Sequence, residues 1–314
     1  YLQVFNRLEH YTLLNQATDK VELIIMGGTF PSFDVRYQNE FITYAFKAMN
    51  DFSEMFYRNN EFDVDKFKEF FELPADLKNN ERTKRIHEKL LKIKGEADLE
   101  KEKLRNESAK IRCVALCIET KPDWCFEDEI NQMLKLATTR VELGIQSVFN
   151  DVLKATNRGH TIEDGVRATQ LMKDSFLKVG YHMMFGLPNS DSEKDIFSFK
   201  EIFKNQDFKP DALKMYPCRV FSGTPLHESW KKGKYKALTD EEAAKLIVEA
   251  KKFVPEYCRI MRIQRDIPGN LNEAGPKKTN IRQLLHENGV KCRCIRCREP
   301  GLREISWSEV KLNM

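Results

Sequence analysis

The stretch RVELGIQS, residues 140–147, decides the fold of this chain, because it is a short apolar segment with polar residues at alternate positions. Five similar segments recur, and several are separated by longer stretches with apolar residues at helical spacing, at 150–174, 196–203 and 241–253. This alternation predicts an α/β fold with a parallel sheet, either open and doubly wound or closed toward a barrel. The six predicted strands span residues 21–26, 113–118, 140–145, 179–184, 212–216 and 259–263.

The composition is that of a globular protein with one large core. The chain has 314 residues, of which 41% are hydrophobic and 32% are charged, and its net charge of +4 favours no particular class of partner. It contains no run of about eighteen apolar residues and no signal-peptide pattern, so we expect a cytoplasmic protein. The sequence opens at Tyr1 directly within a helical pattern, and we therefore also expect that residues before Tyr1 are missing.

Residues 76–110 form a long segment rich in Lys and Glu, which we expect to be a helical insertion outside the repeated units. Between Lys78 and Lys94 there are seven basic residues and two acidic ones. A local cluster of this kind can bind a phosphate backbone even on a nearly neutral protein. A solvated helix surface is the alternative interpretation.

Polar side chains at alternate positions of the predicted strands indicate an active site. Alternate side chains of a barrel strand point inward, so Glu142 and Gln146 share one face, as do Lys214 and Tyr216. Active sites of parallel barrels lie at the carboxyl ends of the strands, where Glu119 also falls. We expect Glu119, Gln146, Lys214 and Tyr216 to converge on one site at these ends, and satisfied polar groups of the core are the alternative for each of them.

Two glycine-containing turns follow predicted strands. Gly27 and Gly28 follow the first strand, and Gly186 follows the strand that carries His182. Glycine allows a ligand to approach the backbone closely, so that the N–H and C=O groups can bind it. The alternatives are an ordinary strand-to-loop turn and, for His182, a buried structural histidine.

Three cysteines, Cys292, Cys294 and Cys297, lie within six residues of one another near the C-terminus. Thiolates this close can bind one metal ion, and we expect the neighbouring arginines to favour the ionised thiolates. We favour a structural zinc ion, although three cysteines would also hold an iron–sulfur cluster with one open position. The fourth zinc ligand stays open among His286, Cys258, Cys113, Cys117 and Cys125.

The motifs of this chain resemble, in order and over nearly its whole length, those of the Elongator catalytic subunit family. The matching segments are VELIIMGGTFPS, RCVALCIETKPDWC, TRVELGIQS, NRGHT, GYHMMFGLP, LKMYP, RIMRIQRDIP and KCRCIRCRE. The family joins a radical S-adenosylmethionine (SAM) barrel to an acetyltransferase domain and uses acetyl-CoA to install a carboxymethyl precursor on carbon 5 of the tRNA wobble uridine. The resemblance implies the same here: a tRNA carboxymethyluridine synthase of the acyltransferase class.

The resemblance also implies roles for individual residues. Lys214 and Tyr216 match the family's catalytic pair. The first glycine turn would hold the methionine amino group of SAM, and the segment 182–188 would pass its adenine. The residues expected to bind SAM are Gly27, Gly28, Thr29, Glu119, Glu142, Gln146, His182 and Gly186. The residues expected to contact tRNA are Lys84, Arg85, Lys89, Arg259, Arg262, Arg265, Arg293 and Arg296.

Two regions follow from the resemblance. Residues 1–268 would form a partial (β/α)6 TIM-like radical SAM barrel without its first strand and cluster loop, and residues 269–314 an extension with the metal knuckle. The cysteines of the [4Fe–4S] cluster would precede Tyr1 and the acetyltransferase domain would follow Met314, so we expect the chain alone to be inactive. The expected cofactors are SAM, the cluster and zinc, with acetyl-CoA as co-substrate.

The expected partners are tRNA and either a second copy of the chain or Elongator-type subunits. A different class of function is a zinc-stabilised platform that binds tRNA without catalysis. Basic patches and a cysteine knuckle suit such a platform equally well. Polar residues on the inner strand face do not, because a platform has no use for a polar barrel interior.

Overall fold

The structure, a computed structural model, describes residues 1–76, 78–265, 267–278, 280–287, 292–302, 306, 308 and 310–311, without the side chains of residues 284, 286, 287 and 302. Contacts between Cα atoms divide the chain into two compact units. The first unit comprises Tyr1–Glu119 with Asn131–Arg140, and the second comprises Thr120–Ile130 with Val141–Met314. Each unit is described by itself below.

The described residues form ten strands. The strands are β1 (Lys20–Ile25), β2 (Tyr57–Arg58), β3 (Glu61–Phe62), β4 (Arg112–Thr120), β5 (Arg140–Gln146), β6 (Lys178–Phe185), β7 (Ala212–Pro217), β8 (Val220–Phe221), β9 (Arg259–Ile263) and β10 (Asn272–Ala274). The main sheet has the order β1, β4, β5, β6, β7, β9, and the pairs β1–β4, β6–β7 and β7–β9 are parallel. Two short antiparallel pairs, β2–β3 and β8–β10, lie apart from it.

All six predicted strands are present, and all six belong to the main sheet. Their ends differ from the prediction by at most a few residues; β1, for example, ends at Ile25. The α/β architecture with a curled, parallel six-stranded half-barrel confirms the predicted partial TIM-like fold. The carboxyl ends of β5, β6 and β7, where the second unit was expected to hold its site, lie along one edge of this sheet.

Twelve α-helices connect and flank the strands in the described ranges, and none of them is long and apolar enough to cross a membrane. Side chains cap several of them: Thr161 and Thr239 each begin a capping box, at α8 and α11. The helices are α1 (Leu2–Leu13), α2 (Val35–Phe56), α3 (Val64–Phe70), α4 (Asn80–Lys94), α5 (Leu99–Glu107), α6 (Glu127–Lys135), α7 (Asn150–Ala155), α8 (Ile162–Asp174), α9 (Ser192–Lys204), α10 (Pro225–Lys231), α11 (Asp240–Lys251) and α12 (Ile281–Glu287).

The charged segment 76–110 is helical, as its pattern predicts, and holds α4 and α5. Asn79 caps α4, and Ile86 and Leu90 are buried on its apolar side. Arg82 is buried as well, in an ion pair with Glu9 of α1. The apolar core of the first unit is rich in aromatic residues. Phenylalanine rings of α2 pack edge to face or tilted against those on α3 and at its C-terminal end.

Candidate active site and cysteine site

Glu142 of β5 is the centre of a buried polar cluster in the second unit. Its side chain, 1% exposed, is hydrogen-bonded to His182 Nε2 at 2.7 Å and ion-paired with Lys214 Nζ. Burial opposes ionisation of this carboxyl, but the hydrogen bond from His182 and the charge of Lys214 outweigh it and lower the pKa of Glu142 to about 2. Glu142 is therefore ionised at neutral pH and only accepts hydrogen bonds, so His182 Nε2 and Lys214 Nζ are donors.

The register of β6 against β7 brings the other side chains to this cluster. His182 lies beside Lys214, and the rings of His182 and Tyr216 meet edge to face with centroids 5.5 Å apart. Gly180 makes room for Glu142, because a Cβ at position 180 would lie 2.9 Å from the Glu142 Cγ. The structure thus brings together Glu142, His182, Lys214 and Tyr216.

The three arginines on and after β9 point to different places. Arg262 is the register neighbour of Lys214 across β7 and β9. The Arg265 guanidinium lies over the Tyr216 ring, 5.4 Å from its centroid. Arg259 instead pairs, at 3.3 Å, with an acidic side chain of the cysteine segment. Arg262 and Arg265 therefore belong to the surroundings of the buried cluster, while Arg259 belongs to the cysteine site.

Gln146, the last residue of β5, has a left-handed backbone with φ of 67°, and its Nε2 donates to the His182 carbonyl at 3.2 Å. Gly144 lies two residues before Gln146. The Arg158 Nη2 donates to the Gly144 carbonyl and lies 2.7 Å from the place that a Cβ at position 144 would take. Burial lowers the pKa of Arg158, and the charge of Asp123 opposes that effect. Sequence reasoning did not assign Arg158, although a glycine within a strand signals close approach by another group.

Asp195 of α9 holds the turn at Gly186. Its carboxylate accepts the Gly186 N–H at 2.7 Å and the Ser190 hydroxyl at 2.5 Å, and the Tyr235 hydroxyl donates to the Gly186 carbonyl at 2.7 Å. Burial raises the pKa of Asp195 to about 6, against the effect of the hydrogen bond from Ser190. Both backbone polar groups of Gly186 are thus bound within the protein, and sequence reasoning missed the two side chains that bind them.

The first unit carries the remaining residues expected to bind SAM. Gly27 and Gly28 follow β1 with φ of 89° and 63°, and in the described structure no atom lies within 4 Å of a Cβ built at either. The Thr29 carbonyl accepts the Ser32 hydroxyl at 2.7 Å. Glu119 is the penultimate residue of β4 and is half-buried. The open space beside two left-handed glycines fits close approach of a ligand to the backbone.

The three cysteines of the KCRCIRC motif form a compact group, in which the Sγ atoms of Cys292, Cys294 and Cys297 all lie within 4.8 Å of one another. Hydrogen bonds from Cys292 and Cys297 lower the pKa of Cys294, and the same contact raises the pKa of Cys292. Metal binding requires deprotonated cysteines, so a metal ion bound here would displace the protons that these sulfurs share.

No fourth metal-ligating atom joins this group among the residues that the structure describes. Cys258 is near, since its carbonyl accepts the Ile295 N–H at 3.1 Å; burial raises the pKa of its thiol, and Cys294 raises it further. The side chain of His286 lies outside the described residues. The other candidates lie on β4 or shortly after it: Cys113, Cys117 and Cys125.

The arginines next to the cysteines also pair with carboxylates. Arg296 pairs with Glu299 at 2.9 Å, and Arg293 with Glu256 at 3.5 Å. That these arginines favour ionised thiolates stays a prediction. Two further cations that act on the cysteine sulfurs come from α11 and α12.

Lys84, Arg85 and Lys89 lie together on α4. Arg85 and Lys89 both pair with Glu72, at 2.7 and 2.9 Å, whereas Lys84 is exposed. The hydrogen bonds from Arg85 and then Lys89 lower the pKa of Glu72 to about 2. Two of the three cations expected to contact tRNA therefore already have a partner within the first unit.

Comparison with known proteins identifies the superfamily. The profile of the Radical SAM superfamily matches residues 9–199, more than half of the chain. The chain belongs to the radical SAM superfamily. The profile of the Radical SAM C-terminal domain matches residues 210–289, which include β7 and β9. Membership in a radical SAM superfamily implies SAM and a [4Fe–4S] cluster as cofactors.

Relatives of this radical SAM chain confirm the resemblance to the Elongator catalytic subunit family. It is 46% identical over 305 residues to the "tRNA uridine(34) acetyltransferase" of Methanocaldococcus jannaschii, covering 96% of this chain and 49% of the relative. It is 37% identical over 309 residues to "Elongator complex protein 3" of Schizosaccharomyces pombe, covering 97% and 49%. The chain spans about half the length of these curated relatives.

A solved structure shares the fold of this radical SAM chain. It is the archaeal Methanocaldococcus infernus Elp3 with an N-terminal deletion of residues 1–46, with a TM-score of 0.77 and 45% identity. The match covers 95% of this chain and 61% of that one. The fold likeness thus extends over both units of the described chain.

Proposed function

We propose that this chain forms the SAM-binding region of an enzyme that modifies uridine 34 of tRNA. The names of its relatives point to this substrate. The observation that carries the proposal is the buried array of Lys214, Glu142 and His182 with Tyr216 beside it. Ion pairs and donors at the carboxyl ends of barrel strands are costly to bury without a ligand to act on, and perturbed ionisable groups of this kind mark functional sites.

The proposed reaction is the acetyl-CoA-dependent installation of a carboxymethyl group on carbon 5 of the wobble uridine. When bound, SAM and a reduced cluster would supply a radical that takes a hydrogen atom from the acetyl methyl group. The chain's own contribution is to exclude water and to orient the reactants, for which a closed barrel interior is suited. The uridine has to leave its stack to reach such an interior.

Lys214 and Tyr216 are the proposed catalytic pair. The ionised Glu142 keeps the Lys214 ammonium group in one position, where its positive charge would attract an acyl oxygen. The Tyr216 hydroxyl can donate a hydrogen bond to the acyl oxygen, and the positive charge of Arg265 over the ring would make that hydroxyl a better donor. Glu142 and His182 serve this pair as positioning residues rather than as direct ligands of SAM.

The SAM-binding residues proposed from the family resemblance fit a ligand to different degrees. Gly27 and Gly28, with open space beside a left-handed backbone, fit the methionine end of SAM best. Gln146 has its amide nitrogen on the His182 carbonyl, and its oxygen is left to meet a ribose hydroxyl. Gly186 offers no free N–H, so contact with the adenine would involve its neighbours in the turn.

We propose zinc at Cys292, Cys294 and Cys297. Three sulfurs within 4.8 Å of one another suit a tetrahedral ion of this size, and the shared hydrogen bonds put a thiolate within reach. The fourth ligand stays open between Cys258 and His286. If the purified chain contained iron and showed a sulfide-to-iron absorption band, the site would hold an iron–sulfur cluster and the zinc proposal would be wrong.

The tRNA-binding surface is proposed from the cations on α4, on β9 and around the cysteines. A platform that only binds tRNA would need these cations and the knuckle, but not the ion pair between Lys214 and Glu142. The two functions therefore differ in what a mutation of the buried array does. Loss of the array would leave a platform's tRNA affinity unchanged and would stop an enzyme.

The test uses the full gene product, reduced under anaerobic conditions with SAM, acetyl-CoA and unmodified tRNA. Mass spectrometry of nucleosides would show the mass of carboxymethyl on uridine 34, and chromatography would show 5′-deoxyadenosine. We expect both products from the full gene product and neither from the chain of 314 residues alone. Tight tRNA binding without SAM cleavage by the full gene product would overturn the enzyme in favour of the platform.

A further inference from the structure

We infer that Lys251 and Arg282 are the charge partners of the cysteine site, and that their positive charges strengthen its binding of a metal ion. The inference rests on the proposed metal at Cys292, Cys294 and Cys297. It concerns the buried cation Lys251 and the half-buried cation Arg282, neither of which the proposed catalysis uses. Each has a hydrogen-bonding nitrogen without a partner among the described residues.

Lys251, the last residue of α11, is 2% exposed, and its Nζ makes no hydrogen bond within the described chain. A buried ammonium group without a partner is strongly unfavourable, because burial removes its hydration. The carbonyl groups at the end of α11 offset only a small part of that cost. The next residue, Lys252, behaves ordinarily, since it is exposed and paired with Glu249.

Arg282 of α12 acts electrostatically on the same cysteines. Its Nη2 donates to the Ile260 carbonyl at 2.9 Å, while its Nη1 has no partner in the described structure. The N–H of the same residue, Ile260, is hydrogen-bonded to Cys294. α11 packs against α12, and the short helix Ile295–Arg298 packs against β9, so these groups share one small region of the second unit.

A bound metal would give the two cations a net negative charge to oppose. Lys251 acts electrostatically on Cys297, and Arg282 acts on all three cysteines. Three thiolates around a divalent ion with a neutral fourth ligand leave one net negative charge in a buried place. Two cations beside three protonated thiols would instead face neutral groups, which gives them nothing to pair with.

Groups beyond the ligands typically change metal affinity by about 10- to 100-fold when they are removed. We therefore expect Lys251→Met to bind zinc at least about 10-fold more weakly than the unmodified chain. Lys251→Arg keeps the charge and should recover part of the affinity. Lys252→Met is the matched control, because it removes the neighbouring charge from the surface and should leave zinc binding unchanged.

The experiment measures zinc content by elemental analysis and zinc release to a chromogenic chelator, for the full chain and its variants. Circular dichroism before and after chelation reports folding independently of the metal. With cobalt in place of zinc, the sulfur-to-cobalt absorption band should shift in Lys251→Met but not in Lys252→Met. Arg282→Met is the second variant, and it decides the matter if Lys251→Met does not fold.

The outcomes separate this inference from the proposed metal site. An unmodified chain that holds no metal would overturn both. An unmodified chain that holds zinc, with equal release rates from Lys251→Met, Arg282→Met and Lys252→Met, would overturn only the charge-partner inference. Faster zinc release from Lys251→Met and Arg282→Met, but not from Lys252→Met, would establish the inference.

Discussion

Two glutamates, one in each unit, reach a pKa of about 2 by different routes. Glu142 is 1% exposed, and the hydrogen bond from His182 together with the charge of Lys214 outweighs the effect of its burial. Glu72 is accessible, and hydrogen bonds from Arg85 and Lys89 lower its pKa with little burial to oppose them. The pairs look alike on a list of charges but differ in their surroundings.

The difference shows that burial, and not the number of charges, decides whether a cation is held by its carboxylate partner or can exchange it for another anion. In the interior, removing one partner leaves the other charge without compensation and destabilises the fold. At the surface, water and salt screen the pair, and either partner can exchange it for another anion. Lys214 is therefore fixed in place for chemistry, whereas Arg85 and Lys89 remain able to turn toward a phosphate group.

The largest expected effect is on catalysis at the buried pair. Tyr216→Phe should lower uridine modification by at least about 100-fold, because general acid catalysis contributes on that scale. Removal of one hydroxyl opens no cavity, so tRNA affinity and thermal stability should stay close to those of the unmodified protein. Product formation by the full gene product is the measurement.

The matched variants lie on the opposite face of β7. Leu213→Ala and Met215→Ala remove fully buried apolar side chains and should lower the free energy of unfolding by about 2 to 5 kcal/mol. The activity of these two variants, measured well below their melting temperatures, should stay close to that of the unmodified protein. Full stability with lost activity in these two, together with early melting of Tyr216→Phe, would mean that the strand faces the other way.

The next effect compares the two glutamates directly. Glu142→Gln keeps the shape of the side chain but leaves the Lys214 ammonium buried without its counter-charge, so the free energy of unfolding should fall by about 3 to 5 kcal/mol. Glu72→Gln should move the urea midpoint very little, because its partners are exposed. Equal midpoints for the two variants would show that burial does not separate these pairs.

Asp195 extends the comparison to a buried carboxyl that has no cationic partner among the described residues. Burial raises its pKa to about 6. In the unfolded chain its pKa is about 3.9, so the folded state binds the proton more tightly. Stability contributed by this proton is present below pH 4 and is lost as the pH rises toward 6, by about 3 kcal/mol in all. Urea titrations of the unmodified chain and of Asp195→Asn across pH 4 to 7 should differ by this slope; parallel curves would contradict it.

The smallest effect concerns the surface pair and RNA. Glu72→Gln should release Arg85 and Lys89 and tighten tRNA binding modestly. Reversing Lys84, Arg85 and Lys89 to Glu should weaken binding and reduce its salt dependence by roughly one power of salt concentration per lost phosphate contact. Filter binding over a range of KCl concentrations is the measurement, and unchanged affinity in the triple variant would remove α4 from the tRNA surface.

The fold and part of the site could be predicted, because both depend on patterns that are local in sequence. Each predicted strand is a run of apolar residues bounded by turn residues, and each forms a strand of the main sheet. The expectation that polar side chains of several strands meet rests on alternation within each strand and on the rule that strand ends meet, whereas the ion pair of Lys214 with Glu142 was not predicted. Neither inference needs to know how far apart two segments fold.

The residues that were missed act through contacts between different elements of the fold. Asp195 and Tyr235 hold Gly186 from α9 and from the segment before α11. Arg158 reaches Gly144 through the space of a missing side chain. Lys251 looks like any lysine at the end of a helix, and only its burial marks it. Local periodicity does not report such contacts, because they depend on how the elements pack.

Gly180 makes the residue choices on β5 and β6 depend on each other during evolution. Any larger residue there would put a Cβ 2.9 Å from the Glu142 Cγ, so a side chain gained on β6 requires a shorter one on β5. Related chains should keep glycine and glutamate together or replace both. A library randomised at the two positions should therefore show sign epistasis, with some double replacements surviving where each single replacement fails.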